Sequence, residues 1–267
     1  MTPKAATRKP VTVVTGASSG IGRAIAREFA AHGYDLVIVA RRRARLEALK
    51  RELVNDYAVR VRVVEADLYD PATPDRLARL LAREPIGIIV NNAGTLEGGS
   101  FASMPRGRVL EMLQLNVTAL VTLTHAMLPR LLARGGGRIV NVASIAAFAP
   151  IPWLGVYAAT KAFVLSFGES LGEELRERGV TVTTVCPGLT DSEMADAALE
   201  RAPGLKPWRG QLFAPATEVA RAAYGGCMSA DPVVVPGLTN RAYDGLMQAA
   251  PRPLRRFLSR YIARSLR

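Results

Sequence analysis

Short runs of β-branched and aliphatic residues alternate along the chain with longer stretches in which apolar residues recur at helical spacing. Uninterrupted apolar runs are typical of strands that are buried on both faces of a parallel sheet. The pattern predicts about seven strands, at residues 11–15, 35–40, 59–65, 86–90, 138–142, 180–186 and 231–236.

The stretches between these strands predict helices. Ile21, Ile25 and Phe29 share one face of a first helix, for which Gly33 provides a C-cap. Further helices are predicted over residues 44–54, 74–83, 106–134 and 156–178. Strands that alternate with helices indicate the α/β class, with a single parallel, doubly wound sheet of the Rossmann type. Helices cover both faces of such a sheet, and ligands bind at the carboxyl ends of its strands.

A glycine-rich segment joins the first predicted strand to the first helix. Gly16, Gly20 and Gly22 permit a tight turn and a close approach of the backbone to phosphate. The helix that follows offers free N–H groups and the positive end of its dipole. The segment, which includes Ser18, Ser19 and Ile21, is therefore predicted to bind the pyrophosphate of a dinucleotide.

The second predicted strand ends in three arginines, Arg41, Arg42 and Arg43. At this place in a dinucleotide fold an acidic residue would bind a ribose 2′-hydroxyl, whereas an arginine would bind a 2′-phosphate. Since no acid is present, Arg41 and Arg42 favour NADP(H) over NAD(H). The alternative, that the arginines merely open the next helix, fits less well because the first turn of a helix disfavours cations.

Composition is that of a globular protein, with 267 residues, 49% hydrophobic and 22% charged. No apolar run approaches the length of a membrane span, and residues 1–10, predicted to be a flexible basic arm, lack the apolar core of a signal peptide. A cytoplasmic location is expected.

Cys186 and Cys227 match no metal spacing and no disulfide framework. The net charge of +12 reflects either solvated positive surface or attraction to phosphates, anionic lipids or nucleic acid.

Tyr157 and Lys161 are four residues apart and share a face of their predicted helix. A nearby cation favours the phenolate and lowers the pKa of a tyrosine below about 10. Tyr157 is therefore a candidate proton donor or acceptor near neutral pH. Such pairs also occur on ordinary solvated helices, so the other motifs must decide between the two interpretations.

Six motifs in chain order resemble those of the classical short-chain dehydrogenase/reductase family, over about residues 11–237. They are the segment Thr15–Gly22 as T-G-x-x-x-G-x-G, Asn91-Asn92-Ala93-Gly94, Asn116, Ser144, Tyr157-x-x-x-Lys161 and Pro187-Gly188. The resemblance implies an NAD(P)-dependent oxidoreductase that acts on CH–OH groups and forms a homodimer or homotetramer through its two long helices.

The resemblance also implies a catalytic tetrad of Asn116, Ser144, Tyr157 and Lys161. Tyr157 would exchange a proton with the substrate oxygen as hydride moves between substrate and nicotinamide. Ser144 would donate a hydrogen bond to the same oxygen. Lys161 would lower the pKa of Tyr157 and bind the nicotinamide ribose, and Asn116 would hold a water that links Lys161 to solvent.

Further cofactor contacts follow from the same resemblance. Asp67, with Leu68 beside it, would meet the adenine, although Asp67 could simply cap a turn. The segment under the adenosine ribose would be Asn92, Ala93 and Gly94, whereas Asn91 is at least as suited to tying strands together. Pro187, Gly188 and Thr190 would lie at the nicotinamide, with Ser192 in the position where the family usually has a threonine.

Two segments would line the substrate pocket. Residues 145–154 carry almost no charge, and residues 189–213 offer Met194, Leu199, Leu205, Trp208 and Phe213. An apolar pocket binds apolar substrate surface, which favours a hydrophobic carbonyl or alcohol. The same side chains could instead pack in the core or in a subunit interface.

Residues 238–267 form a basic extension beyond the family pattern. Its last part places Leu254, Phe257, Leu258, Tyr261 and Ile262 on one helical face, with six arginines and no acid. Such a helix could lie on an anionic membrane surface. It could equally dock on the domain or a neighbouring subunit with its arginines in water. Only charge, and no element for base recognition, points to nucleic acid.

Three functions are compatible with these observations. The first is NADP(H)-dependent hydride transfer to or from a hydrophobic carbonyl or alcohol, with Tyr157 as the acid/base. The second is an NAD-dependent alcohol dehydrogenase, and the third is a non-catalytic dinucleotide-sensing protein. The intact tetrad argues against the third, and no metal site is expected for any of them.

Overall fold

The computed structural model describes residues 9–201 and 209–264 of the chain. The predicted arm at residues 1–10 lies almost entirely outside these ranges, and so do Leu205 and Trp208 of the predicted substrate pocket.

The described strands form a single parallel sheet. They are β1 (Val11–Thr15), β2 (Leu36–Ala40), β3 (Val61–Glu65), β4 (Ile86–Asn91), β5 (Gly137–Val142), β6 (Val180–Val185) and β7 (Val233–Val234). Their order is β3-β2-β1-β4-β5-β6-β7, and every neighbouring pair is parallel. The direction of winding reverses between β1 and β4, which places a ligand crevice at the carboxyl ends of these two strands. The predicted Rossmann-type α/β fold is thus confirmed.

The last strand is shorter than the sequence predicts. Only Val233 and Val234 pair with β6, whereas the apolar pattern extends over residues 231–236. Pro232 and Pro236 stand at either end, and proline has no N–H to give to a neighbouring strand.

Helices cover both faces of the sheet in the described ranges. They are α1 (Gly20–Ala31), α2 (Arg43–Tyr57), α3 (Thr73–Leu80), α4 (Arg106–Leu113), α5 (Ala119–Ala133), α6 (Gly155–Leu175), α7 (Glu193–Arg201), α8 (Arg209–Leu212), α9 (Ala216–Ser229), α10 (Leu238–Ala249) and α11 (Arg252–Arg264). A π-helical turn, Gln114–Thr118, joins α4 to α5, and a 3₁₀ turn, Ile145–Phe148, precedes α6. The sequence analysis did not predict α9, whose small residues let it pack closely on α1.

The strands alternate their side chains between two apolar cores. Val14 of β1 and Ile38 of β2 belong to the core under α1, α2 and α9. Val13 and Val37, one residue earlier on the same strands, belong to the core under α3, α5 and α6. This period of two explains why the strands appear in the sequence as continuous apolar runs.

Within residues 9–201 and 209–264, one helical stretch has the length and composition of a membrane span. It is the continuous helix Arg106–Ala133. In the most apolar 18-residue window of this helix, 44% is buried within the fold. By that criterion the expectation that no segment approaches spanning length is wrong. In the fold this stretch contributes Leu123, Met127 and Leu131 to the core under the sheet, which is the behaviour of a core helix.

Candidate active site

The Tyr157–Lys161 pair lies in the first half of α6 with both side chains buried. Tyr157 is 8% exposed and Lys161 is 6% exposed. On an ordinary solvated helix the lysine ammonium would lie in water. The buried Tyr157–Lys161 pair is therefore not such a solvated pair.

The Lys161 ammonium is held at the end of the sheet. Its Nζ donates a hydrogen bond to the carbonyl oxygen of Val142, the last residue of β5, at 2.9 Å. Burial lowers the pKa of Lys161 to about 8, because the charged form loses hydration. The ammonium therefore remains mostly charged at neutral pH but can release its proton under mildly alkaline conditions.

The Tyr157 phenol departs from its predicted state. Burial raises its pKa above the ordinary value, and a hydrogen bond with Ser144 offsets this only in part. The predicted lowering by Lys161 is absent because the ammonium lies 5.8 Å from the centroid of the Tyr157 ring and is directed to the Val142 carbonyl. Tyr157 is therefore protonated at neutral pH, in the state that can donate a proton.

Ser144 lies two residues after the end of β5 and is the N-cap of the 3₁₀ turn. Its Oγ accepts a hydrogen bond from the Ala146 N–H at 3.1 Å, so it caps that turn. The same side chain interacts with the Tyr157 phenol and lowers its pKa in part. The Ser144 hydroxyl therefore caps the 3₁₀ turn and also lies close to the Tyr157 phenol.

Asn116 lies in the π-helical turn and is 1% exposed. Its Oδ1 accepts from the Thr95 N–H at 2.8 Å, and its Nδ2 donates to the Thr95 carbonyl at 2.9 Å and to Thr160 Oγ1 at 3.1 Å. The side chain thus ties the loop after β4 to α6 beside Lys161. A π turn re-aims side chains relative to a regular helix, and such turns are frequent at functional sites.

The glycine turn and the end of β4 interlock at the switch point of the sheet. Gly16 has φ +68°, in the left-handed region. At Gly22 a Cβ atom would lie 2.3 Å from Asn92 Nδ2 and 2.5 Å from the Gly16 oxygen. Asn92 Nδ2 donates to the Thr15 carbonyl at 2.9 Å, which closes the turn. Asn92 therefore shapes the crevice.

The N-terminus of α1 is suited to bind an anion. Its N-cap Ser19 makes no side-chain capping hydrogen bond, and the first turn contains no acidic residue. The free N–H groups and the helix dipole consequently attract negative charge at the glycine turn.

The arginines after β2 take different directions. Arg42 donates to Ser18 Oγ at 3.0 Å and Ser19 Oγ at 2.7 Å, on the glycine turn. The Arg41 guanidinium lies 4.8 Å from the centroid of the Tyr69 ring and, with Asp67, lines a cleft of about 660 Å³ beside β3. Arg42 therefore lies against the glycine turn, and Arg41 faces the outer end of the crevice.

Three motif residues near β3 and β4 have structural partners. Asp67 Oδ1 accepts from the Tyr69 N–H at 3.0 Å, which is the turn-capping alternative, while its side chain remains exposed. Leu68 is 6% exposed and packs with Leu115. Asn91 Nδ2 donates to other buried side chains that tie β4 to β5 and α5, namely Thr124 Oγ1 and Asn141 Oδ1, both at 2.9 Å.

The segment after β6 returns to the glycine turn. Thr190 Oγ1 donates to the Gly188 carbonyl at 3.0 Å. A Cβ atom on Gly20 would lie 3.1 Å from Ser192 Cβ, so this segment passes directly over the turn. A Cβ atom on Gly188 would lie 2.4 Å from Asn240 Oδ1, so α10 also packs here.

An apolar cleft of about 510 Å³ adjoins the neighbourhood of Tyr157. Met104 and Val156 line this cleft and also pack against the apolar cluster that contains Tyr157. Trp153 of residues 145–154 lines the cleft, and none of the described residues between 189 and 213 does. Trp153 has φ +62°, an unusual conformation for a bulky residue. The loop around Phe101 and helix α4 supply most of the lining of this cleft, and the assignment of residues 145–154 and 189–213 to the substrate pocket stays a prediction.

Several residues at the site were missed in the sequence. Thr95 and Thr160 hold Asn116, Asn240 crowds Gly188, and Glu193 binds Arg42. Only Thr160 had an available signal, since it stands next to Lys161; the others lie on distant segments.

Comparison with known proteins places the chain in a family. The family model for short chain dehydrogenases matches residues 10–202. The chain therefore belongs to the short chain dehydrogenase family, as the motifs predicted, and is an oxidoreductase.

Individual relatives agree with this assignment. A sulfoacetaldehyde reductase from Chromohalobacter salexigens is 42% identical over 184 residues, which are 67% of this chain and 72% of that protein. The structure of a short-chain dehydrogenase from Sphingobium yanoikuyae in complex with NADPH is similar, with a TM-score of 0.78, 35% identity, and coverage of 91% of this chain and 96% of that one. A bulky-bulky ketone specific alcohol dehydrogenase from Comamonas testosteroni gives a TM-score of 0.76 at 32% identity, covering 92% and 96%.

Proposed function

We propose that this chain is an NADP(H)-dependent oxidoreductase that transfers hydride between the nicotinamide and a hydrophobic carbonyl or alcohol, with Tyr157 as the acid/base. The observation that carries the proposal is the buried, protonated Tyr157 phenol bonded to Ser144, with Lys161 one turn further along α6. These groups stand near the carboxyl ends of β4 and β5, beside the glycine turn.

The chemistry at Tyr157 is a proton transfer. The nicotinamide, when bound, supplies or accepts the hydride. In the reductive direction Tyr157 donates its proton to the substrate oxygen, and Ser144 Oγ donates a hydrogen bond to that oxygen. Lys161 binds the nicotinamide ribose and, with its ammonium tied to the Val142 carbonyl, fixes the position of Tyr157 on α6. Asn116 contacts α6 through Thr160 and holds the region in place. A water held by Asn116 would link Lys161 to solvent.

The preference for NADP(H) is supported by residues on this chain. The uncapped N-terminus of α1 fits a pyrophosphate, and Arg42 with Ser18 and Ser19 forms a group of donors for a 2′-phosphate. The similar structure from Sphingobium yanoikuyae contains NADPH. The proposed cofactor contacts are completed by Arg41, Asp67, Ala93, Gly94 and Thr190. The backbone around them is shaped by Ile21, Leu68, Asn92, Pro187 and Gly188.

The substrate class is inferred from the apolar surface near Tyr157. The 510 Å³ cleft presents Phe101, Met104, Trp153 and Val156, and hydrophobic lining favours a hydrophobic ligand. The similar alcohol dehydrogenase from Comamonas testosteroni is described as specific for bulky-bulky ketones. A bulky hydrophobic ketone is therefore the first substrate to test.

Assembly is proposed to occur through α4, α5 and α6, as a homodimer or homotetramer. Leu110 and Leu113 of α4 are 50% and 40% exposed, and Phe163 of α6 is 44% exposed. Phe163 stacks on Phe167, with ring centroids 5.9 Å apart. Large apolar side chains exposed together mark interaction surfaces.

The C-terminal helix α11 is proposed to dock on the domain rather than on a membrane. Arg255 Nε donates to the Ala250 carbonyl at 2.7 Å and Ser259 is 1% exposed, so α11 is tied to the end of α10. We expect the full chain and a chain ending at Pro251 to sediment equally with anionic vesicles.

The proposed domain covers residues 11–237, with residues 238–267 as an extension. A cytoplasmic location is proposed as well, and it agrees with the two unpaired cysteines.

The experiment that tests the function is a screen of hydrophobic ketones and aldehydes, with oxidation of NADPH followed by absorbance. Tyr157→Phe serves as the inactive control. A separate measurement of Kd for NADPH and NADH decides between NADP(H) and NAD(H), and tighter binding of NADH would refute the argument from Arg42.

A further inference from the structure

Glu193 is the first residue of α7, in the segment that leaves the sheet after β6. Its carboxylate nevertheless contacts the far side of the crevice, where β2 ends. Glu193 Oε2 accepts a hydrogen bond from Arg42 Nη1 at 2.7 Å, and Oε1 accepts one from Arg45 Nη1. One carboxylate therefore bridges two guanidinium groups.

The surroundings of this carboxylate form a binding site for an anion. Arg42 also donates to Ser18 and Ser19 of the glycine turn, so the arginine and the turn are held together. The first turn of α2, which contains Arg45, holds no acidic residue. Two guanidinium groups near a helix N-terminus attract an anion, and the Arg42 and Arg45 hydrogen bonds lower the pKa of Glu193, so that it is ionised at neutral pH.

We propose that Glu193 is an internal competitor for the cofactor's 2′-phosphate: its carboxylate occupies the Arg42–Arg45 anion site, and thereby reduces the preference for NADPH over NADH. This inference rests on the NADP(H) function proposed above. Carboxylate and phosphate oxygens accept hydrogen bonds from the same guanidinium N–H groups, so both cannot use Arg42 Nη1 fully at once. A 2′-hydroxyl carries no charge and does not compete.

The competition also connects the cofactor to α7. When a phosphate takes Arg42, Glu193 loses one of its two partners, and the first turn of α7 loses an attachment to α2. Ser192, the preceding residue, lies against Gly20. The 2′-phosphate therefore loosens the start of the segment that passes over the glycine turn, whereas a cofactor without it leaves the attachment intact.

The expected magnitude is modest because the groups are partly solvated. The side chains of Arg42 and Glu193 are 43% and 46% exposed. Exposed ion pairs contribute little, so removal of the competitor is expected to tighten binding of a 2′-phosphate by roughly two- to fivefold.

Adenosine 2′,5′-bisphosphate and AMP isolate the effect, since they differ only in the 2′-phosphate. Their Kd values are measured calorimetrically for the wild type, Glu193→Gln, and the matched control Glu200→Gln, which changes an exposed glutamate on the same helix. The expected result is that Glu193→Gln tightens the bisphosphate by roughly two- to fivefold without tightening AMP, while Glu200→Gln changes neither.

The outcomes separate this inference from the function on which it rests. If the wild type prefers the bisphosphate over AMP and Glu193→Gln shows the same preference, the competition is overturned and the proposed function still stands. Wild-type protein that binds both ligands equally overturns the 2′-phosphate site and both proposals. As a second readout, amide exchange at residues 193–196 should increase with the bisphosphate and not with AMP in the wild type; no difference overturns the connection to α7.

Discussion

Lys161 donates a hydrogen bond to the carbonyl oxygen of Val142 at 2.9 Å and so ties α6 to the carboxyl end of β5. The contact joins the helix that carries Tyr157 to the strand that is followed by Ser144. It therefore sets the positions of three of the four proposed catalytic residues relative to the sheet. It also satisfies one donor of a buried ammonium, which reduces the cost of placing charge in this region.

Replacement of Tyr157 by phenylalanine keeps the buried ring and removes only the hydroxyl. We expect kcat/KM with a reducible ketone to fall by roughly 10²- to 10⁴-fold, because the proton donor is lost. Thermal melting should change little. Tyr224→Phe, a change at a tyrosine packed on Phe29 away from the site, is the matched control and should keep full activity. Turnover in Tyr157→Phe equal to that of the wild type would refute the mechanism.

The stability of the protein should depend on the protonation of Lys161. Its folded pKa of about 8 lies below its ordinary value of 10.5, so the cost of burying the charge is fully present below pH 8. Between about pH 8 and pH 10.5 the folded state has released the proton that the unfolded state still holds, and stability rises with pH. The difference in free energy of unfolding between the wild type and Lys161→Met should therefore shift in favour of the wild type over this window. A difference independent of pH would contradict the burial of the ammonium.

Removal of the Arg42 guanidinium should distinguish the two cofactors. For Arg42→Ala we expect the Kd of NADPH to increase by roughly 10- to 100-fold, since a charge-assisted contact to phosphate is lost. The Kd of NADH should stay within about twofold, because no 2′-phosphate is present. Arg51→Ala, an exposed position on α2, is the control for the change in net charge. Equal weakening of both cofactors by Arg42→Ala would place the arginine elsewhere in the binding site.

The interlock of the glycine turn with β4 predicts a stability effect. At Gly22→Ala the new Cβ would meet Asn92 Nδ2 and the backbone oxygen of Gly16, and that oxygen cannot move away freely. The free energy of unfolding in urea should fall by roughly 1–3 kcal/mol. Gly107→Ala is the matched control, since its Cβ meets nothing within 4 Å in helix α4 and should leave stability equal or slightly higher. A neutral Gly22→Ala would contradict the packing of the turn.

The proposed subunit contact can be tested by a substitution at Phe163, one of its exposed apolar side chains. Phe163→Glu should shift sedimentation equilibrium from an oligomer towards the mass of one chain, 28.7 kDa, because a charge at a buried contact is costly. Leu80→Glu on α3, where the leucine is 51% exposed, is the control and should leave the oligomer unchanged. A wild-type protein that sediments as a monomer would remove the basis of this proposal.

The sequence determined the class of fold and the order of the motifs. Buried parallel strands must be apolar on both faces, so their positions are visible as local runs, and the glycine turn is visible because few other residues fit its backbone. The likeness of six motifs to one family then located Ser144, Tyr157 and Lys161 before any contact was known. The local patterns did not reveal the alanine-rich α9, and they predicted a longer β7 than the two residues that pair with β6 between the two prolines.

The tertiary structure decided the electrostatics and the long-range partners. The sequence placed Lys161 beside Tyr157 and predicted a lowered pKa for the phenol, but burial raises the pKa, and the ammonium is directed to Val142. Glu193 meets Arg42 across 151 positions of sequence. Burial and contacts of this kind depend on how distant segments pack, and a local pattern of polar and apolar residues carries no information on that packing.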